Sequence, residues 1–143
     1  MREVRHSALV NSPPERLFTL IEDVERYPEF VPWCTDARVV SRSEGEVLAS
    51  LTVRRGALRA SFTTRNVLEP HRRIVMELVE GPFRELSGEW LLTPIGDAGC
   101  RVELSLQFEF ANPLSAALFD PLFSATAVGL VDAFVARARK LGT

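Results

Sequence analysis

Apolar and polar residues alternate along this chain with a period that changes three times. Residues 4–10 alternate one by one, a pattern typical of a half-buried strand. A helical spacing follows, in which one buried stripe contains Leu17, Phe18, Leu20, Ile21 and Val24. We expect Ser12 to cap this helix, with a proline at its first position and Glu15 at the capping-box distance.

Alternation with period two then takes over and persists for about 75 residues, which predicts about six further strands. The clearest of them covers residues 101–110, where large apolar side chains alternate with polar ones. Short segments containing glycine or proline separate these runs. Because such connections are too short for crossovers, the strands are expected to be antiparallel neighbours.

The last part of the chain returns to helical spacing. Asn112 is the expected cap and Pro113 the first helical residue, and apolar side chains then recur at steps of three and four. Between Leu114 and Val131 so few positions are polar that apolar groups cover more than one helix face. Packing alone, a lined ligand cavity and a partner surface each explain this composition. Pro121 inside the helix predicts a kink.

These elements predict an α+β fold of one domain over residues 1–143. Its order is one strand, a helix followed by short turns, about six antiparallel strands and a long C-terminal helix. A curved sheet of about seven strands with one apolar face needs a cover, and the C-terminal helix is the element large enough to provide it. We therefore predict a sheet wrapped around this helix, with room for a cavity between them.

Composition and charge limit the classes of function. A chain of 143 residues can bury roughly 68–70% of its unfolded surface, so it needs no metal or disulfide to fold. Cys34 and Cys100 are expected to be reduced, buried thiols. The first six residues carry charge where a signal peptide would be apolar, and no run approaches the ~20 apolar residues of a membrane span. We expect a cytoplasmic protein, and its net charge of −2 gives no overall attraction to nucleic acid.

The most informative segment covers residues 23–33, with the sequence DVERYPEFVPW. Each of its two prolines disfavours the helical conformation of the preceding residue, so the chain must form short turns here. Several acidic side chains keep one side of these turns in water, which leaves Tyr27, Phe30, Val31 and Trp33 to point inward or at a ligand. The segment is either a lid over a cavity or a plug in a core.

Residue patterns of known catalytic centres are scarce. His6 and His71 have no metal-ligand spacing with each other or with the cysteines. The chain contains no phosphate-binding loop, nucleophile elbow or dinucleotide fingerprint. We therefore predict a non-enzyme with no catalytic residues, no metal and no cofactor.

One cluster of charge stands out. Between Arg54 and Arg73 there are six arginines and one acidic residue; the six are Arg54, Arg55, Arg59, Arg65, Arg72 and Arg73. Arg54, Arg55, Arg59 and Arg65 are our candidates for contact with RNA phosphates or anionic lipid headgroups, and a plain solvated face is the alternative. The polar face of this strand has no aromatic residue for base stacking, so sequence-specific RNA reading is not indicated.

Residues 23–33, the later Gly81-Pro82-Phe83 and Gly88-Glu89-Trp90, and the closing helix resemble the coenzyme-Q-binding START-domain family. That family includes the ribosome-association toxins and belongs to the helix-grip, or polyketide cyclase-like, superfamily. The resemblance covers nearly the whole chain and implies a helix-grip fold with an internal apolar tunnel.

The resemblance places Tyr27, Phe30, Val31, Pro32 and Trp33 at the tunnel mouth, because these residues match the family motif. Placement along the chain adds Phe83, Trp90, Leu118 and Leu122 as wall residues. For Trp90 a position in the plain core is favoured, and the cavity wall is the alternative.

Two functions follow from this family. The first is a carrier or chaperone for an isoprenoid quinone such as ubiquinone, in support of respiration, with transient contact at a membrane surface. The second is a ribosome-association toxin that binds the large ribosomal subunit and blocks subunit joining. A cyclase in the same fold is the third alternative. Apolar surface left on the helix would allow a weak dimer, and a monomer is the other expected state.

Overall fold

The computed structural model describes residues 2–141, so three terminal residues of the predicted domain lie outside it. The strands are β1 (Arg2–Val10), β2 (Cys34–Ser43), β3 (Glu46–Arg55), β4 (Leu58–Glu69), β5 (Arg73–Glu80), β6 (Phe83–Ile95) and β7 (Gly99–Phe110). The helices are α1 (Pro14–Glu22), a 3-10 helix (Val24–Glu29) and α2 (Pro113–Leu141).

All seven strands form one antiparallel sheet in the order β1-β7-β6-β5-β4-β3-β2. Each strand from β2 to β7 therefore pairs with its neighbour in sequence, and β1 closes the other side against β7. The long helix α2 lies against the concave face of this sheet. The predicted α+β helix-grip architecture, with short helices after the first strand, is confirmed.

The N-terminal cap of α2 agrees with the prediction, whereas that of α1 does not. Asn112 caps α2 as predicted, because its Oδ1 accepts a hydrogen bond from the Ser115 backbone N–H at 2.8 Å. The prediction of Ser12 as the cap of α1 is wrong. Pro14 requires an extended conformation of the residue before it, so Pro13 occupies the cap position without a side-chain hydrogen bond, and Ser12 is buried instead.

The core lies between the inner sheet face, α1 and the inner side of α2. On β7 the alternate residues from Cys100 to Phe110 are all buried, as the period-two pattern predicts. Gly88 on β6 faces this strand, and a Cβ atom there would lie 2.4 Å from the Ser105 carbonyl oxygen. A neighbouring strand therefore approaches this glycine closely, which leaves no room for a side chain.

Helix α2 is long and apolar enough to cross a membrane, judged by length and composition alone. The expectation that no segment of the chain meets this measure is therefore wrong. A core helix passes the same test, and the inner side of α2 packs into the core through Phe123, Ala127 and Phe134. On its outer side Leu114, Leu118 and Val128 remain exposed to solvent.

Candidate functional site

An apolar cavity of about 80 Å³ lies between the sheet, α2 and the segment from α1 to the 3-10 helix. Its walls are mainly aliphatic and aromatic. The sheet contributes Val47, Ala49, Leu51, Val53, Phe62, Leu68, Ile74, Met76, Leu86, Trp90, Leu104 and Leu106, and α2 contributes Phe123, Thr126, Ala127 and Leu130. The predicted room between sheet and helix is thus present.

Two residues of the aromatic-proline segment reach this cavity. Tyr27 and Val31 both line it and are both buried. The Tyr27 hydroxyl donates a hydrogen bond to the carbonyl oxygen of Ile21. Burial raises the pKa of the Tyr27 phenol far above its ordinary value, with smaller contributions from Cys34 and Asp23. Tyr27 is therefore a neutral side chain that joins the 3-10 helix to the end of α1.

The other three residues of the predicted tunnel mouth lie outside the cavity lining. Phe30 packs edge-on against Phe134, with ring centroids 5.3 Å apart. Pro32 and Trp33 approach Gly129 on α2, and Trp33 is 36% exposed. Trp33 also has a positive φ of 62°, which a bulky residue rarely adopts, and this turn directs its ring away from the cavity. Two residues of the segment thus line the cavity, and the other three pack against α2.

The predicted wall residues also divide. Trp90 lines the cavity and is 3% exposed. Phe83 and Leu122 line a second and much smaller space of about 10 Å³. The placement of Leu118 in the wall is wrong, because its side chain is 48% exposed and lines neither space.

A cluster of phenylalanines separates the two spaces. Phe83 stacks on Phe110 at 4.8 Å between centroids, and Phe108 meets Phe123 edge-on at 4.7 Å. Phe62 joins the cluster through Phe83 and Phe123. Phe62 and Phe123 line both spaces and therefore lie between them. Trp33 and Phe119 do not line the main cavity.

Sequence reasoning missed two polar residues in the cavity wall, Thr64 and Asn66. They continue the inward face of β4 after Phe62, and the Thr64 hydroxyl donates a hydrogen bond to Asn66 Oδ1 at 2.8 Å. The signal that would have found them is the period of two itself, extended two further steps along the strand.

Cys34 contributes a thiol to the same wall. Burial raises the pKa of this thiol to about 11, which outweighs the lowering effect of a hydrogen bond to the Asp36 carbonyl oxygen. Both cysteines are free and buried, as expected. The thiolate that nucleophilic chemistry requires is therefore scarce at neutral pH.

The predicted arginine cluster divides into paired and unpaired members. Arg65 forms an ion pair with Glu46 at 2.7 Å, and Arg73 pairs with Glu69 at 2.6 Å. Arg54, Arg55 and Arg59 are exposed and form no ion pair within residues 2–141. We call these last three the arginine hairpin, since they surround the turn between β3 and β4.

Like charges face each other in this hairpin. Arg54 and Arg59 are directly opposite in the β3–β4 register, an arrangement that destabilises a strand pair. The Arg55 guanidinium lies over the Trp33 ring, 5.5 Å from its centroid. The surface thus concentrates positive charge beside an exposed aromatic ring.

Within residues 2–141 no group of three or more His, Cys, Asp or Glu side chains could hold a metal ion. His6 instead contacts Asp132 on α2, with Nε2 and Oδ1 3.1 Å apart.

A family model described as polyketide cyclase / dehydrase and lipid transport matches residues 10–135. The chain belongs to this polyketide cyclase / dehydrase and lipid transport family. The ribosome association toxin RatA of Pseudomonas aeruginosa is 46% identical over 138 residues, which cover 96% of each chain. The mitochondrial coenzyme Q-binding protein coq10 of Schizosaccharomyces pombe is 29% identical over 140 residues, covering 94% of this chain and 85% of that protein.

A solved structure extends the comparison to a cyclase. The Zhui aromatase/cyclase of Streptomyces sp. R1128 superposes with a TM-score of 0.87 over 99% of this chain and 96% of its own, at 19% identity. This likeness shows the shared fold alone. The family match and the two named relatives confirm the resemblance to the ribosome-association toxin and coenzyme-Q-binding proteins at the level of the family. The prediction of a non-enzyme stays a prediction.

Proposed function

We propose that this protein associates with the ribosome and that the arginine hairpin binds RNA phosphates of the large subunit. The observation that carries the proposal is the hairpin itself. Its three exposed arginines lack carboxylate partners within residues 2–141, and two of them are held opposite each other. A polyanion would relieve that repulsion, because each arginine can bind phosphate oxygens.

The relatives support the same proposal. The Pseudomonas protein, 46% identical over nearly its full length, bears the name of a ribosome association toxin. Two relatives from Vibrio cholerae strains bear the same name at 41% identity over 99% of this chain. The quinone-binding relative is more distant at 29% identity. We therefore put ribosome association ahead of the quinone carrier.

Sedimentation through sucrose tests this function. Purified protein mixed with separated large subunits is expected to sediment with them, and about 20- to 40-fold of the affinity should be lost between 50 and 200 mM salt if three phosphates are neutralised. Replacing Arg54, Arg55 and Arg59 with glutamate should abolish co-sedimentation. A matched control replaces the exposed Arg16, Arg38 and Arg42 with glutamate, which changes the net charge equally on other elements.

In the control variant sedimentation should persist with a modest loss from the altered net charge. Equal loss in both triple variants would show that overall charge, and not the hairpin, is responsible. Unchanged sedimentation of the hairpin variant would refute the proposed surface.

The cavity supports a second function, the binding of an apolar ligand such as an isoprenoid quinone. A cavity lined by aliphatic side chains lowers the stability of the folded protein, because the lining atoms lack packing contacts on one side. The family description includes lipid transport, and one relative bears the name of a coenzyme Q-binding protein. Each methylene buried in such a wall contributes about 0.8 kcal/mol.

The size of the cavity sets a condition on this function. At about 80 Å³ it is smaller than the roughly 300–1,000 Å³ of pockets that hold drug-sized ligands. A quinone with an isoprenoid tail would therefore require side chains to move apart. Met76 and Leu68 are partly buried wall residues with the rotamer freedom for such movement.

Native mass spectrometry of the freshly purified protein, followed by organic extraction, tests this second function. A co-purifying isoprenoid quinone would support the carrier role and contact with membranes. Protein that is empty, and that shows no thermal stabilisation on addition of decylubiquinone, would refute it without affecting the ribosome test.

A further inference from the structure

Asn66 places an amide group in the otherwise mainly apolar wall of the cavity. Its side chain lines the cavity from the inward face of β4, between Thr64 and Leu68. Its Oδ1 already accepts the Thr64 hydroxyl, so its amide nitrogen Nδ2 is the part of the group that remains for other contacts. No residue in the described part of the chain accepts a hydrogen bond from this nitrogen.

Three other side-chain donors in the lining already have protein partners. The Tyr27 hydroxyl donates to the Ile21 carbonyl, the Thr126 hydroxyl to the Leu122 carbonyl at 2.9 Å, and the Cys34 thiol to the Asp36 carbonyl. Glu22 also lines the cavity, but an ionised carboxylate only accepts hydrogen bonds. Within residues 2–141, the side-chain donors in the lining that lack a protein hydrogen-bond partner are thus Asn66 Nδ2, with two N–H groups, and the single indole N–H of Trp90.

We infer that Asn66 is a polar anchor that donates a hydrogen bond from Nδ2 to a carbonyl oxygen of an otherwise apolar ligand. The inference rests on the proposed apolar-ligand function and assigns the chemical class of that ligand. The anchor selects against plain hydrocarbons, because a hydrocarbon would cover Nδ2 and leave this donor without any partner. A ligand with one well-placed carbonyl removes that penalty.

Thr64 is a positioning residue in this arrangement. Its hydroxyl is buried and holds Oδ1 at 2.8 Å, which fixes the plane of the Asn66 amide and therefore the direction of its N–H groups. Thr64→Val removes this constraint while it leaves the donor in place. We expect this variant to retain part of the preference for a carbonyl ligand.

The experiment compares two probes that differ by one carbonyl, decanophenone and decylbenzene. Affinities are measured by fluorescence titration in a Trp33→Phe background, so that only Trp90 in the cavity wall reports binding. The measured quantity is the ketone-to-hydrocarbon affinity ratio of each variant. Comparing this ratio between variants cancels the different water solubilities of the two probes.

Asn66→Leu should lower this ratio by at least about fivefold, the net value of one hydrogen bond, while decylbenzene binds equally well or better. If the leucine variant folds poorly, Asn66→Val provides the same test with a side chain that favours strands, and it should lower the affinity ratio in the same way. Val67→Thr changes an exposed neighbour of Asn66 on the outward face of β4, outside the cavity lining, and should leave the ratio unchanged.

The outcomes separate the inference from the function on which it rests. If the parent protein binds both probes and neither Asn66 variant changes the ratio, the anchor is refuted and the apolar-ligand function stands. If the parent binds neither probe nor decylubiquinone, the apolar-ligand function fails and the anchor fails with it.

Discussion

The guanidinium of Arg137 lies over the ring of Phe30, with its central carbon 5.1 Å from the ring centroid. The same guanidinium binds Glu29, with Nη2 and Oε1 3.1 Å apart. Glu29 and Phe30 end the 3-10 turn that carries Tyr27 into the cavity, whereas Arg137 belongs to α2. The two contacts therefore tie the turn to the helix that it covers.

A double-mutant cycle with Phe30→Leu and Arg137→Met measures the first contact. We expect a coupling free energy of about 0.5–1 kcal/mol, because the guanidinium is partly desolvated over the ring. Urea unfolding gives the four stabilities needed. Arg139→Met, at an exposed position on the same helix, is the control and should show no coupling with Phe30. Coupling near zero in both cycles would mean that the stacked geometry contributes nothing to stability.

Two glycines should respond oppositely to alanine. At Gly88 the added Cβ would lie 2.5 Å from Leu106 Cδ2 and closer still to a backbone oxygen, so we expect a loss of about 1–3 kcal/mol or more. At Gly129 in α2 the nearest atoms, on Pro32 and Trp33, are 3.9–4.0 Å away, and the higher helix propensity of alanine should stabilise the protein by about 0.5–1 kcal/mol. Thermal and urea unfolding check both values. Destabilisation by Gly129→Ala would show that Pro32 and Trp33 lie too close to α2 to leave room for a Cβ atom at residue 129.

The two tryptophans should report different events. Trp33 is 36% exposed beside Arg55, so iodide should quench it readily, while Trp90 at 3% exposure should resist iodide. Decylubiquinone should instead quench Trp90, which lines the cavity. Fluorescence of Trp33→Phe and Trp90→Phe separates these signals. Full quenching by decylubiquinone in Trp90→Phe would place the ligand outside the cavity.

Cys34 should react slowly with iodoacetamide while the protein is folded. Burial raises the pKa of its thiol from 9.0 to about 11, which lowers the thiolate fraction at pH 8 by about a hundredfold. Peptide mapping of alkylated protein, with a urea-unfolded sample as control, measures this difference. Equal rates in both samples would mean that the thiol is solvated in the folded state.

The same shift has a consequence for stability. Folding favours the neutral thiol because it raises the pKa of Cys34. The resulting contribution to the free energy of unfolding is complete below pH 9 and declines as the pH rises from 9.0 toward about 11. Urea unfolding between pH 8.5 and 10.5 should therefore show a decline that is shallower in Cys34→Ala. A parallel decline in both proteins would assign the effect to other groups such as Tyr27.

The architecture could be predicted from the sequence because each element carries its own period. Residues 101–110 alternate so regularly that their pairing face is unambiguous, and the Asn112-Pro113 start of α2 is a local signal. The predicted cap of α1 lies one residue too early, because the effect of Pro14 on Pro13 competes with the capping preference of Ser12.

The cavity could be predicted only in part, because its lining depends on contacts between distant elements. Leu118 and Leu122 are one helical turn apart, yet only Leu122 packs beside Phe83 from β6. Trp33 and Val31 are two residues apart, and the positive φ of Trp33 sends the two side chains to different places. Neither difference is encoded in the spacing of apolar residues. Thr64 and Asn66 were missed for another reason, because their polarity conceals an inward position.

The pairing of β1 with β7 also determines the order in which the sheet can assemble. Strands β2 to β7 form successive hairpins, whereas Val10 must find Cys100 and Arg2 must find Phe108. Closing so long a loop carries the largest entropic cost in the sheet, so we expect β1 to dock after the hairpins have formed. Among the seven strands, the first to be synthesised is thus expected to be the last to be paired. Until it docks, the outer edge of β7 is open to pairing with a strand from another copy of the chain.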